Sequence, residues 1–108
     1  MTESEAKRIC TELHAFLDDE MRLTAMPAKR KKQLLGLYWI ADRLPKDGEW
    51  TERELNLTLN ALHTFGDPAL IRRELVDLGV LARDPYGKRY VVRSDGPSFA
   101  EFLSRGLH

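Results

Sequence analysis

Turn-forming and helix-capping residues recur through the second half of this chain, and they constrain its fold more than any other feature. Pro45 and Gly48 bracket a turn, because proline cannot donate the backbone hydrogen bond that continues a helix. Thr51 is followed three residues later by Glu54, a capping-box spacing that predicts the start of a helix. We expect this helix to end near residues 63–66.

The same kind of signal predicts a further helix and a β-hairpin. Asp67 before Pro68 is typical of a helix N-cap and first turn, and Gly79 is typical of a left-handed helix end. Two strand-like runs follow, over residues 80–83 and 89–92. The residues between these runs fit a type I turn closed by glycine: Asp84, Pro85, Tyr86 and Gly87.

Apolar periodicity predicts three more helices. Residues 3–22 form an amphipathic helix, because apolar side chains recur there at helical spacing. Its apolar stripe consists of Ala6, Ile9, Cys10, Leu13, Phe16 and Leu17. Residues 28–44 are apolar on most of the helix circumference, so this helix is expected to be central. Residues 97–107 form a short helix that buries Phe99, Phe102 and Leu103.

The order of these elements is that of a winged helix. From residue 28 it runs helix, very short strand over residues 49–51, helix, turn, helix and hairpin. The expected fold class is therefore mainly α with a small β-hairpin, an α+β protein. We assign the winged helix-turn-helix domain to residues 26–96, with an extra amphipathic helix in residues 1–25 and a helical tail in residues 97–108.

Composition favours a globular cytoplasmic protein. Apolar residues make up 43% of the chain and charged residues 31%, fractions typical of a folded domain. No apolar run approaches the roughly 20 residues of a membrane span, and the N-terminus lacks the features of a secretory signal. Cys10 is the single cysteine, so no internal disulfide can form. We therefore expect a reducing compartment and no membrane partner.

The charge is balanced overall but unevenly distributed. The chain has 17 basic and 17 acidic side chains, which argues against strong non-specific nucleic-acid binding. Residues 1–25 hold six acidic and three basic side chains. The remaining residues therefore hold 11 acidic and 14 basic side chains. An acidic N-terminal segment thus precedes a mildly basic body.

Four stretches resemble one known family. They are PAKRKK from residue 27, TERELN from residue 51, IRRELVDLGVLAR from residue 71 and GKRY from residue 87. Over residues 26–92 the chain resembles the bacterial domain-of-unknown-function 2087 family (DUF2087). Members of this family are often fused to helix-turn-helix regulators of the ArsR type, so the resemblance implies a transcription-related role and no established biochemical activity. This chain has only one helix before the resembling region, so any DNA contact is expected within that region.

The fourth helix, over residues 67–78, is the element expected to enter the major groove. Its core face carries Ile71, Leu75 and Leu78, and its opposite side presents Ala69, Arg73, Val76 and Asp77. Arg73 is suited to reading a guanine edge and Arg72 to contacting a phosphate. Two basic clusters complete the expected DNA-binding residues: Lys29, Arg30, Lys31 and Lys32 at the start of the second helix, and Lys88 and Arg89 in the wing.

Some features favour other interpretations. The basic run at residues 29–32 is unfavourable beside the positive end of the helix dipole. Either a bound phosphate or the acidic stretch at residues 18–20 can compensate it, and pairing within the molecule is the more economical interpretation. Val76, Asp77 and the balanced charge favour an alternative function, a non-catalytic protein-interaction module that keeps the winged-helix fold without binding DNA.

The apolar stripe of the first helix has two possible uses. It can pack on its own domain, or it can join the C-terminal tail in a homodimer, the usual state of winged-helix regulators. The histidines, His14, His63 and His108, show no metal-ligand spacing, and no cofactor is expected. Because no nucleophile–base motif or glycine-rich phosphate loop is present, we do not expect an enzyme.

Overall fold

Each helix start that the sequence predicts from a capping pattern is formed by that pattern. The Thr51 hydroxyl accepts a hydrogen bond from the backbone N–H of Glu54 at 3.2 Å, and the Glu54 carboxylate accepts one from the Thr51 N–H at 3.4 Å. The Asp67 carboxylate accepts one from the Leu70 N–H at 3.1 Å. Gly79 has a left-handed φ of +83°, as predicted for the end of a helix.

The computed structural model describes residues 1–86 and 88–107. Within them lie five α-helices, one 3-10 turn and three strands, so the α+β class is confirmed. The elements are α1 (Glu3–Glu12), α2 (Arg30–Arg43), β1 (Glu49–Thr51), α3 (Glu52–Asn60), α4 (Pro68–Asp77), β2 (Leu81–Arg83), β3 (Arg89–Val92) and α5 (Phe99–Gly106), with the 3-10 turn at His14–Phe16. The predicted turn closure at Gly87, and also His108, lie outside the described residues.

The three strands form one antiparallel sheet in the order β1-β3-β2. Trp50 of β1 lies opposite Tyr90 of β3, and Arg83 of β2 lies opposite Tyr90 on the other side. Tyr90 is buried, with 4% of its surface exposed. The sheet is thereby anchored in the main core, which α2, α3, α4 and α5 complete.

Helix α1 is shorter than the sequence predicts, and this is the main correction to the fold. The expected helix over residues 3–22 ends at Glu12. Beyond it, the Asp18 carboxylate accepts hydrogen bonds from the backbone N–H groups of Glu20 and Arg22, at 3.0 and 2.8 Å. An aspartate side chain that binds nearby backbone N–H groups competes with the helix, so the chain turns here. Met21 takes a left-handed φ of +61° in this turn.

The turn lets the chain return along the end of α3. Leu23 is fully buried, and its backbone N–H donates to the Leu62 carbonyl at 3.1 Å while its carbonyl accepts from the Thr64 N–H at 2.9 Å. This pairing takes residues 62–64 away from α3, which ends at Asn60 rather than near residues 63–66. The region between α3 and α4 is therefore fixed by a contact distant in sequence.

The apolar stripe of α1 packs within its own chain. Ile9 and Leu13 are fully buried against Leu35 and Trp39 of α2. Of the two uses that the sequence allows, packing on its own domain therefore occupies the most apolar part of this stripe. No helix within residues 1–86 and 88–107 combines the length and the hydropathy that a membrane crossing requires.

Candidate nucleic-acid interface

Helix α4 presents the face that the sequence predicts. Ile71, Leu75 and Leu78 are buried in the main core. Arg73 and Asp77, on the opposite side, are exposed, and Val76 is half-buried beside them. The exposed face of α4 is thus mixed in charge.

A buried histidine fixes the start of α4. His63 is 3% exposed, and its Nδ1 lies 2.7 Å from the Leu59 carbonyl while its Nε2 lies 3.0 Å from the Asp67 backbone nitrogen. Because a carbonyl only accepts and a backbone N–H only donates, Nδ1 acts as the donor and Nε2 as the acceptor. The Phe65 ring packs edge-on against it, with 4.5 Å between centroids. The sequence analysis treats His63 as ordinary, and nothing in its spacing marks this role.

One flank of α4 is tied to α3 and the sheet through Arg72. Its guanidinium donates a hydrogen bond to the Asn56 side chain and lies 3.5 Å from a Glu52 carboxylate oxygen. Only 13% of the Arg72 side chain is exposed. These partners hold the guanidinium in one position beside the Tyr90 ring, 5.8 Å from its centroid.

The other flank of α4 is tied to α2 and α5. Arg30 of α2 donates to the Glu74 carboxylate and to the Gly106 carbonyl, both at 3.0 Å. Arg105 of α5 donates a hydrogen bond to the Leu78 carbonyl at 3.3 Å. Its positive charge is favourable there, beside the negative end of the α4 helix dipole. Helix α4 is therefore held on both flanks and at both ends, which fixes the direction of its exposed face.

A cleft of 340 Å³ lies between this exposed face and the β2–β3 hairpin. We call it the arginine cleft, and its lining residues are Glu52, Arg72, Arg73, Val76, Asp77, Arg83 and Tyr90. The guanidinium carbon of Arg83 lies 5.9 Å from the Tyr90 ring centroid, on the strand opposite. Three guanidinium groups thus line one cleft with two carboxylates, a set that can bind a phosphate through charge-assisted hydrogen bonds.

The structure separates the predicted DNA-binding residues into two groups. Arg30, Arg72 and Arg89 are engaged within the molecule, Arg89 through an exposed pair with Glu49 at 3.6 Å. The others make no ion pair within 4.0 Å among the described residues, and all are exposed: Lys29, Lys31, Lys32, Arg73 and Lys88.

Only Arg72 and Arg73 of the predicted set line the arginine cleft. Sequence reasoning omits Arg83 and Tyr90 from the site. The signal that finds them is the hairpin register, because residues directly opposite on antiparallel strands point to the same face.

The expected compensation of the basic run by the acidic stretch is wrong for the part of the chain described. Asp18 pairs with Arg22 at 2.9 Å, and Glu20 lies 3.8 Å from the same guanidinium. Hydrogen bonds from the Arg22 backbone and side chain lower the pKa of Asp18 below its usual value. The acidic stretch is therefore used locally, and the ion pair of the basic run is the one between Arg30 and Glu74.

A known protein family matches the part of the chain that contains most of these elements. Residues 22–92 match the family described as uncharacterized protein conserved in bacteria (DUF2087). The chain belongs to the DUF2087 family. The match confirms the resemblance seen in the sequence and begins slightly before residue 26. Comparisons with curated proteins and with solved structures found no match.

The DUF2087 match contains every residue that lines the arginine cleft. It runs from residue 22, in the segment before α2, to the end of β3, whereas α1 and α5 lie outside it. In the described ranges, no three His, Cys, Asp or Glu side chains are grouped in a way that could hold a metal ion.

Proposed function

We propose that this DUF2087 protein is a cytoplasmic winged-helix domain that binds DNA in transcription regulation. Support comes from the element order, in which α3 and α4 correspond to a helix-turn-helix and the β2–β3 hairpin to the wing. In this proposal α4 enters the major groove with Arg73 toward the bases, and the wing lies on the DNA backbone.

The observation that carries the proposal is the arginine cleft at the junction of α4 and the hairpin. A helix in the major groove brings a phosphate of the bordering strand to the edge of the groove, where this junction lies. Arg72 is already held in place by Asn56 and Glu52, so it loses little freedom on binding a phosphate. Arg73 and Arg83 are exposed and complete the contact.

Two other basic groups extend this surface. Arg30 is joined to Glu74 of α4, so the basic run at the start of α2 lies beside α4. Its exposed lysines, Lys29, Lys31 and Lys32, provide phosphate contacts in the proposal. Lys88 and Arg89 provide contacts from the wing.

The test is binding of the purified protein to random-sequence duplex DNA, followed by fluorescence anisotropy from about 50 mM to about 200 mM salt. The variant Arg73→Ala/Arg83→Ala removes two exposed guanidinium groups without touching the partners of Arg72. We expect weaker binding and a slope of log affinity against log salt that is shallower by about 1, because the cleft holds one phosphate and each phosphate contact contributes about 0.9.

The matched control is Lys7→Ala/Arg8→Ala, which removes two positive charges from α1. It should leave the salt slope unchanged if the contacts are local to the cleft. If both double variants lose the same DNA affinity, the binding depends on the overall charge of the protein and not on the cleft. Absence of wild-type binding at low salt, both to random duplex and to a duplex pool enriched by repeated selection on the protein, would refute DNA binding.

A second candidate function is a protein-interaction module without DNA binding. The observation that favours it is Tyr86 at the hairpin turn, which is 95% exposed, together with Asp77 and half-buried Val76 on α4. An exposed aromatic side chain is typical of protein interfaces. Absence of DNA binding at every salt concentration in the same assay would favour the protein-interaction module.

We also propose a homodimer, because two half-sites raise the specificity of a winged-helix regulator. Exposed apolar side chains offer contact area, among them Leu57 at 65% and Leu107 at 56% exposure. Sedimentation equilibrium at micromolar concentration tests this, and a monomer would refute it.

A further inference from the structure

A second cleft, of 440 Å³, lies between the C-terminal half of α2, the end of β3 and the segment that leads into α5. We call it the α2–β3 cleft. Residues of the proposed DNA surface do not line it. The apolar side chains that line it include Met1, Tyr38, Ala41, Leu44, Val80, Val92 and Pro97. This volume lies within the range of pockets that bind small molecules, and a mainly apolar lining with a few polar groups is typical of them.

The charges at the rim of this cleft are not equally available. Asp42 accepts a hydrogen bond from the amino group of Met1 at 2.9 Å. Arg93 makes two hydrogen bonds to the Asp95 carboxylate, at 3.0 and 2.9 Å. Lys46 is exposed and makes no ion pair with any described residue. Among the described residues, Lys46 is therefore the rim side chain whose charge is available to a ligand.

Tyr38 contributes a fixed aromatic ring to the lining. Its ring packs edge-on against Phe99 and Phe102, with centroid distances of 4.8 and 5.3 Å. Burial, together with the charges of Glu5 and Asp42, raises the pKa of Tyr38.

We propose that the α2–β3 cleft binds a small organic acid, with an apolar body against the lining and its carboxylate at Lys46. A cation is not favoured there, because Lys46 already places a positive charge at the rim. A wholly apolar ligand would leave the Lys46 ammonium without a partner. This proposal goes beyond DNA binding and does not depend on it.

The test uses indole-3-acetate as the probe, titrated into the full-length protein labelled with nitrogen-15 and followed by NMR. We expect saturable shifts of the backbone amides of Ala41, Val80 and Val92. The expected Kd is about 1 mM or tighter, the affinity of a fragment of this size. No saturable shift at these amides would overturn the proposal.

The position of the carboxylate is tested with Lys46→Gln, an exposed substitution that should not disturb folding. It should weaken indole-3-acetate binding about three- to fivefold, the effect of an exposed ion pair. The neutral analogue indole-3-acetamide should bind the wild-type protein more weakly and should be unaffected by Lys46→Gln. The control Lys7→Gln removes an exposed charge from α1 and should not change binding.

The position of the apolar body is tested with Ala41→Leu, which fills part of the cleft with a good helix former. It should abolish the amide shifts while the melting temperature stays near that of the wild-type protein. If Ala41→Leu is unstable, the binding of indole-3-acetate and indole-3-acetamide to Lys46→Gln still tests the proposal. Equal weakening of both probes would place the carboxylate elsewhere and overturn the assignment.

Discussion

Replacing His63 by asparagine or glutamine separates the two hydrogen bonds that this buried ring makes. The amide nitrogen of asparagine can take the place of Nδ1 and donate to the Leu59 carbonyl. The amide oxygen of glutamine reaches as far as Nε2 and can accept from the Asp67 N–H. Both variants lose the edge-on packing against Phe65, so their difference isolates the hydrogen bonds.

The two bonds are not of equal value. The Leu59 carbonyl also accepts from the Leu62 N–H at 2.9 Å, so it keeps a partner without the histidine. The Asp67 N–H has His63 as its partner, and losing this partly buried hydrogen bond costs about 1 kcal/mol. Lost aromatic packing adds about 1 kcal/mol in both variants. We expect His63→Gln to lower the free energy of unfolding by about 1 kcal/mol and His63→Asn by about 2 kcal/mol.

Chemical and thermal denaturation measure this difference. For a domain of this size, His63→Asn should melt about 10 °C lower than the wild-type protein or more, and His63→Gln about 5 °C lower. Hydrogen exchange of the Asp67 amide should accelerate in His63→Asn more than in His63→Gln. If His63→Asn is as stable as His63→Gln, the bond to Asp67 does not fix the start of α4 and the reasoning fails.

Two further predictions concern the ends of α4 and of α1. Gly79→Ala should destabilise the protein by about 1–2 kcal/mol, because an alanine is strained at this positive φ, and its Cβ would also lie 2.6 Å from the Arg105 guanidinium. Gly66→Ala is the matched control, because Gly66 has a similar φ of +66° but no atom lies within 4 Å of an added Cβ. Denaturant unfolding compares the two variants. If both lose the same stability, the alanine at position 79 does not displace Arg105. Asp18 has a lowered pKa in the folded protein, so its contribution to stability is present above its unfolded pKa and is lost as pH falls through the folded value. The Asp18→Asn variant should therefore show a flatter dependence of unfolding free energy on acidic pH, and an unchanged dependence would contradict the role of its bonds to Arg22.

Local signals in the sequence predict the elements that depend on neighbouring residues. Thr51 with Glu54, Asp67 with Pro68, and Gly79 each act within one turn of helix, and each is confirmed. The same reasoning would also have found the capping box of Ser98 with Glu101, which begins α5.

Elements fixed by distant contacts are the ones that the sequence does not predict. The amphipathic pattern of residues 3–22 continues past Glu12, but Asp18 forms a turn and Leu23 pairs with residues 62–64. A periodic pattern reports which side chains are apolar and not whether one helix carries them all. The partners of Arg72 and Arg30 are likewise invisible in the sequence, since they lie 16 and 44 residues away.

The two carboxylates of the arginine cleft bear on how a DNA-binding role would operate. Glu52 holds Arg72 in place, yet with Asp77 it offsets much of the positive charge of the three arginines. A phosphate would therefore be attracted only weakly from a distance, and strongly only when it lies within hydrogen-bond reach of the guanidinium groups. Together with the zero net charge, this favours binding that depends on the fit of α4 to a particular groove over binding to any duplex. The salt slope should accordingly be shallow on random DNA and steeper on a selected site.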